Sequence, residues 1–182
     1  MNAIRNFASS VWDVAKVVII SAAIIIPIRT FIFQPFFVRG TSMVPTFYNG
    51  DYLLIDELTY RFREPERGEV IVFRYPNDPK QFYIKRIIGL PGEKVSVRNG
   101  SVSVLSEGNE IQLEEPYISP GSASESRDIV AGPDEYIVFG DNRPHSSDSR
   151  SWGPVPEKYF IGRVFLTAWP LNDIAVFAAP TY

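Results

Sequence analysis

The chain contains no cysteine and one histidine, His145, in 182 residues. The absence of thiols excludes a disulfide framework, a cysteine nucleophile and the common Cys-based zinc sites. With a single imidazole, a metal site would have to be built from carboxylates; no ligand spacing suggests one, and neither a metal nor a cofactor is expected. A basic excess is missing as well, because 18 Lys and Arg face 21 Asp and Glu. The first 39 residues carry a local +3 and residues 40–182 a local −6. An acidic body without a basic stripe argues against a nucleic-acid partner. Beyond residue 40 no stretch keeps an apolar 3.6-residue period free of glycine and proline, which excludes a helical body.

What is present begins with an apolar segment. Val17 to Ile28 is interrupted only by Ser21 and Pro27. Twelve helical residues reach only ~18 Å, short of a ~30 Å bilayer core. Extending the count from Val14 to Phe33 brings in Lys16 and Arg29 near the ends, where long side chains can snorkel. One membrane-spanning helix within residues 1–35 is expected, followed by a β-rich domain over 36–182. Small residues at Ser21-Ala22-Ala23 lie in the middle of the run and are followed by three isoleucines, so an uncleaved anchor is read in place of a removed leader. Arg5 and Lys16 on one side face Arg29 and Arg39 on the other, and the charges leave the orientation open.

The remainder reads as strands and turns. Lys94–Arg98 and Ser101–Val104 alternate on either side of Asn99-Gly100, the pattern of a type I′ hairpin. Further strands are expected at Tyr52–Ile55, Val70–Arg74, Phe82–Ile88, Tyr136–Phe139 and Ile161–Thr167, each bounded by Gly, Pro, Asn or Asp. Ser106 to Arg127 is polar and reads as a long surface excursion with a short strand at Ile111–Leu113. The expected class is mostly β, a coiled antiparallel sheet.

Three strings carry chemistry. Ser42 lies in Gly40-Thr41-Ser42-Met43-Val44-Pro45-Thr46, where Pro45 restricts Val44 and would present Ser42 on a rigid bend. Strand alternation places Tyr83, Lys85 and Ile87 on one face, so Lys85 has apolar neighbours. A lysine must be neutral to act as a base, and burial disfavours the ammonium; moving it from ~10.4 to ~7 asks for about 4.6 kcal/mol. The third string, Gly140 to Arg150, packs hydroxyls and ion-pairing groups directly after an apolar strand. Each string alone also fits a bland role: a turn serine, a snorkelling lysine, a polar surface loop.

Together the strings resemble the type I signal peptidases, membrane-anchored Ser/Lys endopeptidases of bacteria and organelles. The similarity rests on Ser42-Met43-x-Pro45-Thr46, Gly50-Asp51, Tyr83 through Gly92, and Gly140 through Arg150, in that order behind an apolar segment. The resemblance implies Ser42 as nucleophile and Lys85 as general base. It implies Ser146 as a hydroxyl orienting the lysine, and Asp148 with Arg150 as a supporting ion pair. Phe36, Val38, Leu53, Tyr83 and Ile84 match positions lining shallow apolar pockets. Gly40 stands where some members have a hydroxyl that serves the oxyanion, so Ser42 N–H would be the main donor. His145 falls at a place without a family role. Secretory preproteins and the lipid bilayer are the implied partners, with cleavage after small residues and the β domain on the extracytoplasmic side of the cell membrane. Two alternatives share some of these features: an idle anchored β domain that binds exported peptides, and a Ser/Lys self-cleaving repressor, which would need a DNA-binding helical unit upstream.

Overall fold

The computed structural model describes residues 2–31, 33–106, 108–118, 126–180 and 182, with side chains described from Trp12 to Ile26 and then from Gln34 onward. The chain opens with helix α1 (Asn2–Phe31). Its described side chains, from Trp12 to Ile26, are almost all exposed. Among the described residues no helix is long and apolar enough to cross a membrane, so the expected span from Val14 to Phe33 is not shown; Arg5, Arg29 and the end of that span lie outside the described side chains.

The body is built of antiparallel strands, as the alternation predicts. These are β1 (Phe33–Phe37), β2 (Tyr52–Asp56), β3 (Val70–Tyr75), β4 (Asp78–Gly89), β5 (Lys94–Arg98), β6 (Ser101–Ser106), β7 (Asn109–Gln112), β8 (Arg127–Val130) and β9 (Glu135–Phe139). The one-turn helix α2 (Ser149–Trp152) follows, then β10 (Val155–Pro156), β11 (Phe160–Trp169) and β12 (Ala175–Val176). The larger sheet runs β1-β2-β11-β3-β4-β9-β10, with β12 on β11; the smaller runs β7-β6-β5-β8. β1 straddles the expected 35/36 division and pairs with β2 from Phe33↔Asp56 to Phe37↔Tyr52. The apolar sequence that reads as anchor therefore continues straight into the sheet.

Three apolar clusters hold these layers together. One, with Val95, Val104 and Ile137, joins the two sheets. A second, with Val38, Met43, Leu53 and Val72, packs the Ser42 turn against β2 and β3. The third, with Ile71, Phe73, Ile87 and Val138, lies on the other side of β3 and β4. The core is thus split by the two strands that carry Lys85 and its neighbours.

One expectation is corrected. Leu113 is buried at 6 % exposure, and the polar segment after it reaches inward, where Glu115 pairs with the buried Arg143. The stretch after Ser106 is therefore not simply a surface excursion; residues 119–125 of it lie outside the described residues.

Candidate active site

β4 and the Ser42 turn are brought together by tertiary packing alone, across 43 residues of sequence. Lys85 Nζ donates to Ser42 Oγ at 2.8 Å and to the carbonyl oxygen of Ile84, also at 2.8 Å. Lys85 is 4 % exposed, walled by its cross-strand partner Ile71 and by the Tyr83 ring, whose centroid lies 5.4 Å from Nζ. Burial lowers its pKa to about 8; Asp148 and Asp141 hold it up against that effect, while Arg150 pushes it further down. The buried amine and the serine hydroxyl are already in hydrogen-bond contact, a geometry that can serve acyl transfer by a serine.

The Ser42 turn is fixed from two directions. Met43 is 1 % exposed and sits in the second apolar cluster. On the polar side, Asn142 N–H donates to the Ser42 carbonyl at 3.0 Å, and the Asn142 side chain donates to the Thr41 carbonyl at 3.0 Å. Gly40 takes φ +92, a region that favours glycine, and its N–H is spent on Asn49 Oδ1 at 3.0 Å. Among the described residues the Ser42 N–H has no acceptor, so it is free to face a developing oxyanion while Gly40 N–H is not.

Behind the site lie three buried ion pairs. Arg86, the neighbour of Lys85 on the opposite face of β4, donates Nε and Nη2 to Asp141 at 2.9 and 2.6 Å, and Asp141 accepts the Thr46 hydroxyl at 2.5 Å. Asp148 accepts the Gly140 N–H at 3.0 Å and both Nε and Nη2 of Arg150, at 2.8 and 2.7 Å. Arg143 binds Glu115 in bidentate fashion. The loop from Gly140 to Arg150 is thereby locked against both the Ser42 turn and the Lys85 strand. Sequence reasoning singled out Asp148 and Arg150, but it gave no role to Thr46, Arg86, Glu115, Asp141 or Asn142. Four of these five stand inside the quoted strings.

Ser146 departs from expectation. Its Oγ is buried with no hydrogen-bond partner among the described residues, so the bond to Lys85 that the resemblance implies is not formed here. The close packing is clear from Gly140, where an added Cβ would stand 2.2 Å from Ser146 Oγ and 2.5 Å from the Ser42 carbonyl oxygen.

A groove of about 670 Å³ opens over Ser42 and Lys85. Phe36, Val38, Leu53, Tyr83 and Ile84, all expected from sequence, line it together, and so do Arg39, Gln81 and His145, which were not expected there. Ser146, Asp148 and Arg150 stand behind its wall. His145 Nδ1 lies 3.1 Å from Asn142 Oδ1 on the rim. Among the described residues no cluster of His, Cys, Asp and Glu is arranged to hold a metal ion.

Comparison with known proteins gives a consistent result. Signal peptidase I-2 (probable) of Synechocystis is 41% identical over 170 residues, covering 90% of this chain and 76% of that protein. Signal peptidase I of Leptolyngbya laminosa is 36% identical over 180 residues, covering 94% and 86%. A signal peptidase I of Bacillus amyloliquefaciens is 29% identical over 182 residues, covering 94% and 92%. The family described as signal peptidase, peptidase S26, matches residues 11–169, a span that contains the Ser42 turn, the Lys85 strand and the loop from Gly140 to Arg150, and the chain belongs to that family.

Proposed function

We propose that this signal peptidase cuts exported preproteins with Ser42 as nucleophile and Lys85 as general base. The observation that carries the assignment is the 2.8 Å contact between Lys85 Nζ and Ser42 Oγ, with the amine buried and its pKa lowered to about 8. At neutral to mildly alkaline pH a useful fraction of such a lysine is free to take the serine proton as Oγ attacks the scissile carbonyl. The resulting ammonium then returns the proton to the leaving amine. The oxyanion would meet the Ser42 N–H. The extended peptide would lie along the open edge of β1 and along β4, adding strand-like hydrogen bonds. Phe36, Val38, Leu53, Tyr83 and Ile84 would receive small side chains upstream of the cut.

In this reading α1 is a single membrane anchor and the β domain lies on the extracytoplasmic side. Support comes from its described middle: Val17, Val18, Ile19 and Ile20 are consecutive and each about 59–64 % exposed, so apolar side chains point outward all round the helix. A helix that is apolar on every side needs an apolar surrounding, which a bilayer supplies. Detergent-solubilised protein should convert a model preprotein, and sequencing the new amino terminus should place the cut after a small residue. A folded Ser42→Ala or Lys85→Ala protein should be inactive; near-normal turnover by either would overturn the dyad.

A further inference from the structure

The charge census of the groove is at odds with that of the domain around it. The domain from residue 40 onward is acidic by six charges. Yet the groove lining contains no Asp or Glu at all; its ionisable groups are Arg39, Lys85, Tyr83 and His145. Lys85 is committed to Ser42 and Ile84, and His145 to Asn142. Arg39 differs from both. It is exposed, stands three residues before Ser42, and makes no ion pair or side-chain hydrogen bond among the described residues. The other arginines close to the site, Arg86, Arg143 and Arg150, are all held by carboxylates. A guanidinium left open on the rim of a peptide groove has five donors and no protein acceptor.

We infer that Arg39 is a specificity-determining residue, which favours preproteins carrying a carboxylate within two residues of the scissile bond. This inference rests on the proposed function, since it takes the groove to hold the peptide and Ser42 to mark the cut. The reach follows from geometry. An extended peptide advances about 3.3 Å per residue, and a long side chain three positions from the nucleophile can cover about two such steps to either side. With no groove carboxylate to compete, a Glu or Asp there would find a charge-assisted, potentially bidentate partner, while a Lys would meet like charge.

The test uses detergent-solubilised full chain and model preprotein peptides that differ only in bearing Glu, Gln or Lys at the second position before the cut, the first after it or the second after it. Two readouts are taken: kcat/KM for the parent, Arg39→Ala and Arg39→Glu, and Kd for the same peptides on a Ser42→Ala background, which binds without turnover. Glu is expected to be favoured over Lys by about fivefold at one or more positions, the size an exposed ion pair supplies, and the preference should fade in high salt. Arg39→Ala should flatten the ranking and Arg39→Glu should invert it. The position that responds tells whether the signal or the mature segment carries the carboxylate. A ranking in Kd that is flat for the parent, or that survives Arg39→Glu, overturns the inference whatever the turnover. A parent protein that shows the expected ranking in Kd, lost in Arg39→Ala, but turns over none of the peptides would support the role of Arg39 and count against the catalytic reading instead.

Discussion

Asn142 and Ser42 are joined through backbone, the N–H of the first donating to the carbonyl of the second at 3.0 Å. The bond couples the loop after β9 to the turn before β2, 100 residues away in sequence. Because the Asn142 side chain also holds the Thr41 carbonyl, the Ser42 turn is set by two neighbouring bonds to one residue. The Ser42 hydroxyl is thereby left to Lys85 alone.

The first prediction concerns pH. The acidic limb of kcat/KM should rise toward a midpoint near 8, because only the neutral Lys85 amine can accept the serine proton and burial has lowered its pKa to about 8. Stability should follow with a definite sign. Below about 8 the amine is charged in both folded and unfolded chains and the burial penalty is complete; it is relieved as pH rises from about 8 toward 10.5. The penalty is roughly 3 kcal/mol, offset by two hydrogen bonds of about 1 kcal/mol each. Lys85→Met should therefore be inactive yet more stable than the parent by about 1 kcal/mol at pH 6, and the advantage should disappear across that window. Urea melts at several pH values check the sign.

Gly140→Ala should damage catalysis far more than folding. The new methyl would stand 2.5 Å from the Ser42 carbonyl oxygen, which is backbone and cannot rotate away, and 2.2 Å from Ser146 Oγ. If Ser42 is the nucleophile as proposed, displacement of its turn by a fraction of an ångström to an ångström is expected to cost about 100-fold in kcat. Circular dichroism should stay close to the parent; unchanged turnover would show that the loop yields freely.

Arg86 and Asp141 are each 1 % exposed and paired at 2.6 Å. Arg86→Ala should destabilise by about 3–5 kcal/mol, because it removes the cation that hydrogen-bonds the buried Asp141 carboxylate and leaves it the Thr46 hydroxyl as its side-chain donor. Replacing both partners by apolar residues, Arg86→Met with Asp141→Leu, should recover part of that loss. Denaturant unfolding of the single and double variants measures the difference.

Much of this fold is legible in sequence where a local rule acts alone. The Asn99-Gly100 connection yields β5 and β6 in register from Lys94↔Leu105 to Arg98↔Ser101, with both turn residues at positive φ. The strand expected at Phe82–Ile88 is real but longer: β4 begins at Asp78, because Tyr75 pairs with Asp78 and the Pro-Asn turn closes a hairpin. β1 was hidden, since Phe33, Phe36 and Phe37 continue the apolar character of the preceding helix and no period separates one from the other. Ser42 and Lys85 were legible only through resemblance. Their contact depends on a β-sheet register and a packed turn, neither of which spacing encodes. The partner of Arg143 was illegible because Glu115 sits in a segment whose composition reads as surface, and the pairing of Arg86 with Asp141 depends on the same register.

His145 lines the groove and rests on Asn142, yet its ring is exposed and does not bond Ser42. His145→Ala should process preprotein within a few-fold of the parent. A loss as large as that of Ser42→Ala would point to a Ser–His mechanism and against Lys85.

Ser146 gives the sharpest separation of chemistry from stability. Its hydroxyl is buried beside the Ser42 carbonyl without a partner, while the Lys85 nitrogen makes two hydrogen bonds. A neutral amine has two hydrogens to offer, but the ammonium formed during the reaction has three. The resemblance implies that Ser146 orients Lys85; in that role its unpaired oxygen would take the third when the charge appears, and so stabilise the transition state more than the resting state. Ser146→Ala should therefore lower kcat by about 10- to 100-fold with KM little changed. Removing a hydroxyl that would stabilise the ammonium should also move the acidic limb of the rate to lower pH. Folding stability should stay within about 0.5 kcal/mol of the parent, since no bond of the resting enzyme is lost. A variant that keeps kcat and raises only KM would show that Ser146 contacts the peptide and not the lysine.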